Sequence, residues 1–190
     1  MFKKYIPTTE FSSRGSLGEI WIDPEAKLVK KIFKPNGISI KNRPTFHRRM
    51  EDITNLYNNE IYWTTKLKSK FLVDTYEHGP LSDEEGFYLI QEYAGPDLLH
   101  YELKTVNVFP NIVEQLDEMF KFFKENEVYK INNAKCNLSM SDDGQLKCFD
   151  FKYATPRDTK KTTLELLSVK RWLYNIDDSV VSRLSAHILI

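Results

Sequence analysis

Apolar positions along this chain follow two different periods, and the switches between them outline its elements. Residues 9–23 give a short extended run, a small-residue turn and then an alternating segment through Ile20, Trp21 and Ile22. After an Asp23-Pro24-Glu25 turn, Lys27-Leu28-Val29-Lys30-Lys31-Ile32-Phe33 is again rich in strand formers. Pro35, Asn36-Gly37 and Pro44 mark residues 34–44 as a loop. From Thr45 to Lys68 the period changes to helical, with Phe46, Met50, Ile53, Tyr57, Ile61, Trp63 and Leu67 on one stripe. Residues 72–79 and 86–93 predict two further strands joined by an acidic loop, ended by Ala94-Gly95-Pro96, with Asp97 placed to cap a short helix.

Helical period returns over Pro110–Glu125, where Ile112, Val113, Leu116, Met119, Phe120 and Phe123 share a face and Pro110 sits near the first turn. Leu138–Met140 and Leu146–Phe149 predict a small hairpin across Asp143-Gly144. Two helices are expected after it. Thr159–Tyr174 carries Leu164, Leu167, Val169 and Trp172, and Asp177–Ile188 carries Val180, Val181, Leu184 and Ile188.

Composition narrows the function classes by exclusion. Lys plus Arg and Asp plus Glu both number 27, so no net field argues for nucleic acid or an acidic membrane as partner. No run reaches the roughly 18 uninterrupted apolar residues of a membrane helix, and no apolar stretch follows Lys3-Lys4 as in a signal peptide. Cys136 and Cys148 both fall in the hairpin, where small buried hydrophobes fit, and two cysteines make no disulfide framework. A reducing, cytoplasmic setting is the expectation. The four histidines, at 47, 78, 100 and 187, lack the spacing of a zinc site.

Several polar residues stand where burial is expected, and these are the candidates for chemistry. Asn137 and Asp150 come at the outer ends of the hairpin, so an amide and a carboxylate converge there as hard oxygen ligands of the kind magnesium takes. Gly15 and Gly18 lie in the turn before the first strand, where glycines let backbone amides approach an anion. Lys30 and Lys31 are adjacent on one strand, so only one of them points inward; the expectation is Lys31, with Lys30 the alternative. A plain edge strand defended by charge is the other reading of that segment. Glu60 lies on or near the apolar stripe of the long helix, where a carboxylate is costly unless a cation meets it.

Taken in order, these residues resemble the protein kinase superfamily over residues 9–152. Residues 13–20 are similar to its glycine-rich loop, with Gly15 and Gly18 on two of the three glycines, Ser13 in place of the first and Ile20 at the valine. Val29-Lys30-Lys31 is similar to the lysine strand, and Asn59-Glu60-Ile61 stands where the helical Glu of the ion pair belongs. Asn137 and Asp150-Phe151-Lys152 resemble the two metal-binding positions, 13 residues apart (150 minus 137), with Lys152 replacing a glycine. The departure is at Tyr129-Lys130-Ile131-Asn132, where a kinase has His-Arg-Asp. Asn132 takes the place of the general base, and Ala134 that of the lysine two residues on.

The resemblance implies an α+β, two-lobed kinase-like fold. Residues 1–93 would form a small antiparallel-sheet N-lobe with one long helix, and 94–190 a reduced, mostly helical C-lobe. ATP or a related nucleotide with magnesium is the implied cofactor, held by Gly15, Gly18, Lys31, Glu60, the backbone of Glu92 and Ala94, and metal ligands Asn137 and Asp150. Gln91 would limit the back of the pocket. An amide cannot accept a proton at neutral pH, so a nucleotide-binding pseudokinase with a regulatory or scaffolding role, and hence a protein partner, is the leading expectation. The alternatives are an active atypical phospho- or nucleotidyl-transferase and an interaction module with an empty pocket.

Overall fold

A computed structural model of the protein describes residues 1–4, 19–35, 49–82, 84–98, 101, 105–130 and 135–174. Within them the chain is α+β, with nine strands and four helices, and divides into two compact units. One comprises Met1–Lys68 and Leu72–Ala94, the other Ser69–Phe71 and Gly95–Ile190. Gly15, Gly18, Asn132, the loop residues 36–44, the first residues of the long helix as expected (45–48) and the last expected helix (177–188) lie outside the described residues.

The first unit is a five-stranded antiparallel sheet with one helix. Strands β1 (Lys3–Lys4), β2 (Ile20–Asp23), β3 (Leu28–Phe33), β4 (Thr75–Pro80) and β5 (Phe87–Glu92) are ordered β1-β2-β3-β5-β4. The turn into β3 is closed by Asp23, whose carboxylate accepts from the Ala26 N–H at 3.1 Å, with Lys27 in a left-handed conformation at φ 52°. β3 is therefore central, flanked by β2 and β5, which rules out the edge-strand reading of its two lysines. Helix α1 runs over Met50–Lys66, with extended Arg49 before it and Leu67 closing its end. The start is later than the stripe suggested, because Arg49 at ψ 147° stands outside the helix.

Helix and sheet meet in a core of Phe33, Ile53, Tyr57 and Leu89, flanked by Met50, Leu56, Ile61 and Phe87. Tyr57 stacks on Phe87 at 4.3 Å between centroids and meets Phe33 edge-on at 5.6 Å, while its hydroxyl reaches His78 Nδ1 at 2.9 Å. The apolar ring body and its polar tip are thus both satisfied.

The second unit is built on α3 (Ile112–Glu125), whose stripe Ile112, Leu116, Met119, Phe120 and Phe123 is buried as its period predicts. A short helix α2 (Thr105–Val108) precedes it. Strands β7 (Leu138–Met140) and β8 (Leu146–Cys148) form the expected hairpin, in register Leu138↔Cys148 and Met140↔Leu146. Gln115 on α3 holds its loop from outside: Nε2 donates to the Gly144 carbonyl at 2.8 Å, and Oε1 accepts from the Leu146 N–H at 2.7 Å. β6 (Val128–Tyr129) pairs with β9 (Thr155–Pro156), a two-residue ribbon that closes the chain around the hairpin.

Helix α4 covers Thr159–Tyr174 and packs on α3, with Lys170 and Asp117 at 2.7 Å. Its buried face is Thr162, Val169 and Leu173, whereas Leu164, expected inside, is 40 % exposed. Asp97 forms an isolated bridge with Ser139, and the residues that the short helix expected after it would occupy lie largely outside the described set.

One backbone position constrains the sheet closely. Gly86, entering β5, has φ 144°, and a Cβ there would lie 2.3 Å from the carbonyl oxygen of Phe33, the residue that ends β3. Gly86→Ala should therefore destabilise the protein by at least about 1–3 kcal/mol, the scale of a strained φ for a non-glycine residue. Urea unfolding checks this; an unchanged midpoint would mean that the β3–β5 entrance is not held as described.

Candidate functional site

In the first unit, the sequence candidates converge on a single ion pair. Residues alternate across β3, so Lys30 and Lys31 project to opposite faces. Lys30 lies over the Tyr88 ring at 5.1 Å, while Lys31 Nζ meets Glu60 Oε1 at 3.2 Å. Helical spacing places Glu60 beside Ile53, Tyr57 and Thr64 on the buried stripe of α1, so its carboxylate is only 1 % exposed. The Lys31 side chain is 17 % exposed, so the cation keeps access to solvent that its partner lacks.

Among the described residues, Glu60 Oε2 has no hydrogen-bond partner, and neither has Gln91 Oε1. Gln91 is almost wholly buried on β5, its Nε2 donating to Thr75 Oγ1 at 3.1 Å. Two strand positions beyond Leu89, which pairs with Lys31, it stands on the same face of the sheet. The Glu92 N–H donates to the Asp74 carbonyl at 2.8 Å. Ala94 is buried, and no hydrogen bond to its backbone occurs among the described residues.

In the second unit, the hairpin brings Asn137 and Asp150 to one end. Asn137 closes a 3-10 turn over Lys135–Asn137, and its carbonyl accepts from the Phe149 N–H at 3.2 Å, one pair beyond Leu138↔Cys148. Asp150 takes a left-handed conformation, φ 69°, which a short polar side chain tolerates better than most. A turn follows, closed by the Ala154 N–H on the Phe151 carbonyl at 2.8 Å. It carries Lys152 back over Asp150, whose two carboxylate oxygens both accept from the ammonium at 2.5 Å.

Phe151 is buried, edge-on to Phe123 of α3 at 6.0 Å. Lys130, 1 % exposed, has its ammonium 5.3 Å from the same ring. This is a cation on an aromatic face at the position where the resemblance has histidine. Burial, joined by the negative charges of Asp97 and Asp150, pushes the Cys136 thiol up, and Lys130 opposes them. Neither the lysine's burial nor the Gln115 anchor carries a periodic signal in sequence.

Lys152 decides whether these donors suit a divalent ion. Magnesium is held by one or two carboxylates and its own waters. Asp150 is the only anionic member of the expected ligand pair, and both of its oxygens are engaged by an ammonium. A dication brought to the same carboxylate would face that ammonium at a cost of roughly 4 kcal/mol per pair of unit charges at 4 Å and an effective dielectric of 20. As arranged, Asn137 and Asp150 do not fit magnesium. Among the described residues no group of three or more His, Cys, Asp or Glu side chains is placed to hold a metal, and no helix is long and apolar enough to cross a membrane.

No family model matches the sequence, and no curated protein matches it. The geometry therefore carries the functional reading by itself.

Removing one member of the Lys31–Glu60 pair leaves a buried charge uncompensated, which typically costs about 3–5 kcal/mol. Lys31→Met is expected to destabilise by that amount, and adding Glu60→Leu to recover most of it. A double variant as unstable as the sum of the singles in urea would show that the two residues do not interact.

Burial also lowers the Lys135 pKa, and no ion-pair partner for it occurs among the described residues. The unfolded chain then binds more protons than the folded one between the folded and unfolded pKa values, so the penalty is full below the folded value and vanishes above about 10.4. Lys135→Met should stabilise the protein at neutral pH, with the gain shrinking as pH rises through that window. A gain independent of pH in paired urea titrations would assign the effect to packing alone.

Proposed function

We propose that the protein is a kinase-like, two-lobed nucleotide-binding protein with a regulatory or scaffolding role, silent in phosphoryl transfer. The observation that carries this reading is the Lys31–Glu60 pair: a half-buried ammonium on the central strand, held at 3.2 Å by a carboxylate that has no other reason to be inside. A cation fixed in this way is preorganised for the phosphates of a nucleotide. Ala94, with its backbone groups unengaged among the described residues, suits the edge of a base, and buried Gln91 would limit how deep that base goes.

Silence in transfer follows from Asn132. An amide has no proton affinity at neutral pH, and a positioned base contributes about 10² to 10⁴ in rate. Positioning and electrostatics dominate phosphoryl transfer, so the loss of the base together with a carboxylate closed to metal removes two contributions at once.

Saturation with a nucleotide at 100 times its dissociation constant stabilises the native state by about 2.7 kcal/mol. At roughly 2–4 °C per kcal/mol for a chain of this size, ATP or GTP should raise the melting midpoint by roughly 5–10 °C. Lys31→Met should remove the shift, and no labelled γ-phosphate should reach protein substrates. Absence of any shift at millimolar nucleotide, with and without magnesium, would leave the interaction module as the better reading. Robust transfer would replace the proposal with an atypical transferase.

A further inference from the structure

We propose that Lys152 is the resident cation of the Asp150 site. Its ammonium engages both oxygens of the carboxylate that a divalent ion would need, so the hairpin end excludes metal, and removing the lysine opens that carboxylate to a divalent ion.

The inference rests on how the chain is turned. Asp150 at φ 69° ends the hairpin, and the Phe151–Ala154 turn returns Lys152 to within 2.5 Å of both Asp150 oxygens. The pair is largely enclosed, with side-chain exposures of 10 % for Lys152 and 22 % for Asp150. Screening by solvent is correspondingly reduced. Phe151 is locked between Phe123 and Lys130, and the ammonium of Lys152 also lies 5.6 Å from the Tyr153 ring.

An ammonium is a compact, strongly hydrated point charge with three donors, and here two acceptors are supplied by one carboxylate. It satisfies Asp150 as a metal would, but it is tethered two residues away and cannot exchange. The Asp150 carboxylate beneath it is an oxygen donor of the type that magnesium and manganese prefer.

The probe is Mn²⁺ alone, titrated into the full chain without nucleotide and followed by the loss of its free-ion electron paramagnetic resonance signal. Wild type and Asp150→Asn should take up manganese equally weakly. Lys152→Ala should gain a site at least about tenfold tighter, the range over which neighbouring groups tune metal affinity. Asp150→Asn in the same background should abolish that site. Lys152→Arg, which keeps the charge, should remain as blind to metal as the wild type and shows that the gain is not a consequence of loosened structure.

Wild-type binding that Asp150→Asn removes would overturn the proposal, and so would a Lys152→Ala variant that gains nothing.

Discussion

The structure of the first unit depends on how it accommodates one buried carboxylate. Glu60 sits on the stripe that joins α1 to the sheet, and a charge there has to be met or the helix cannot dock in that rotation. Lys31 can meet it because β3 is the middle strand, held on one side by β2 and on the other by β5. The register that pairs Lys31 with Leu89 thus fixes the face on which the ammonium emerges. A one-residue slip would present Lys30 instead and expose the apolar set with it. Such a pair is weak evidence for net stability, since its desolvation offsets most of its attraction. What it supplies is specificity of docking.

The second unit solves the same problem at a different range. Lys31 and Glu60 are 29 residues apart and meet only when helix and sheet have both formed, whereas Asp150 and Lys152 are brought together by a single turn. The local pair can form as soon as its turn does, with little loop-closure entropy. Its geometry is correspondingly hard to change without reshaping the residues after β8. In both units a lysine pairs with the inward-facing acid, and Lys130 over Phe151 adds a third buried cation.

Features encoded by period were legible in the sequence. The α3 stripe, the Leu138–Cys148 hairpin, the span of α4 and the position of Glu60 on α1 all follow from side-chain spacing that a buried face imposes. Pairings that have no local signature were not legible. Val128–Tyr129 and Thr155–Pro156 are two residues each and find one another across the hairpin, so neither is long enough to show alternation. Gln115 is a polar residue on a helix, and only the loop it reaches gives it a role. On α4 the apolar residues surround more than one face, so packing against α3, and not composition, selects Val169 and Leu173 over Leu164. The choice between Lys30 and Lys31 needed the register as well as the alternation.

In the proposed reading, the identity of the cation at Asp150 separates binding from chemistry. A nucleotide is bound in its ground state by any well-placed positive charge, and a lysine serves that purpose. Transfer asks for more: positive charge that follows the phosphoryl group as it leaves, which an ammonium committed to a carboxylate does not supply. Lys152 and Asn132 therefore act in the same direction. One removes the mobile positive charge from the hairpin end, and the other removes the proton acceptor five residues before Asn137. Restoring the base alone would leave the electrostatic deficit in place, and admitting a metal alone would leave the hydroxyl of an acceptor without a base. Only the two changes together would test whether the remainder of this small scaffold still holds a geometry in which transfer can occur.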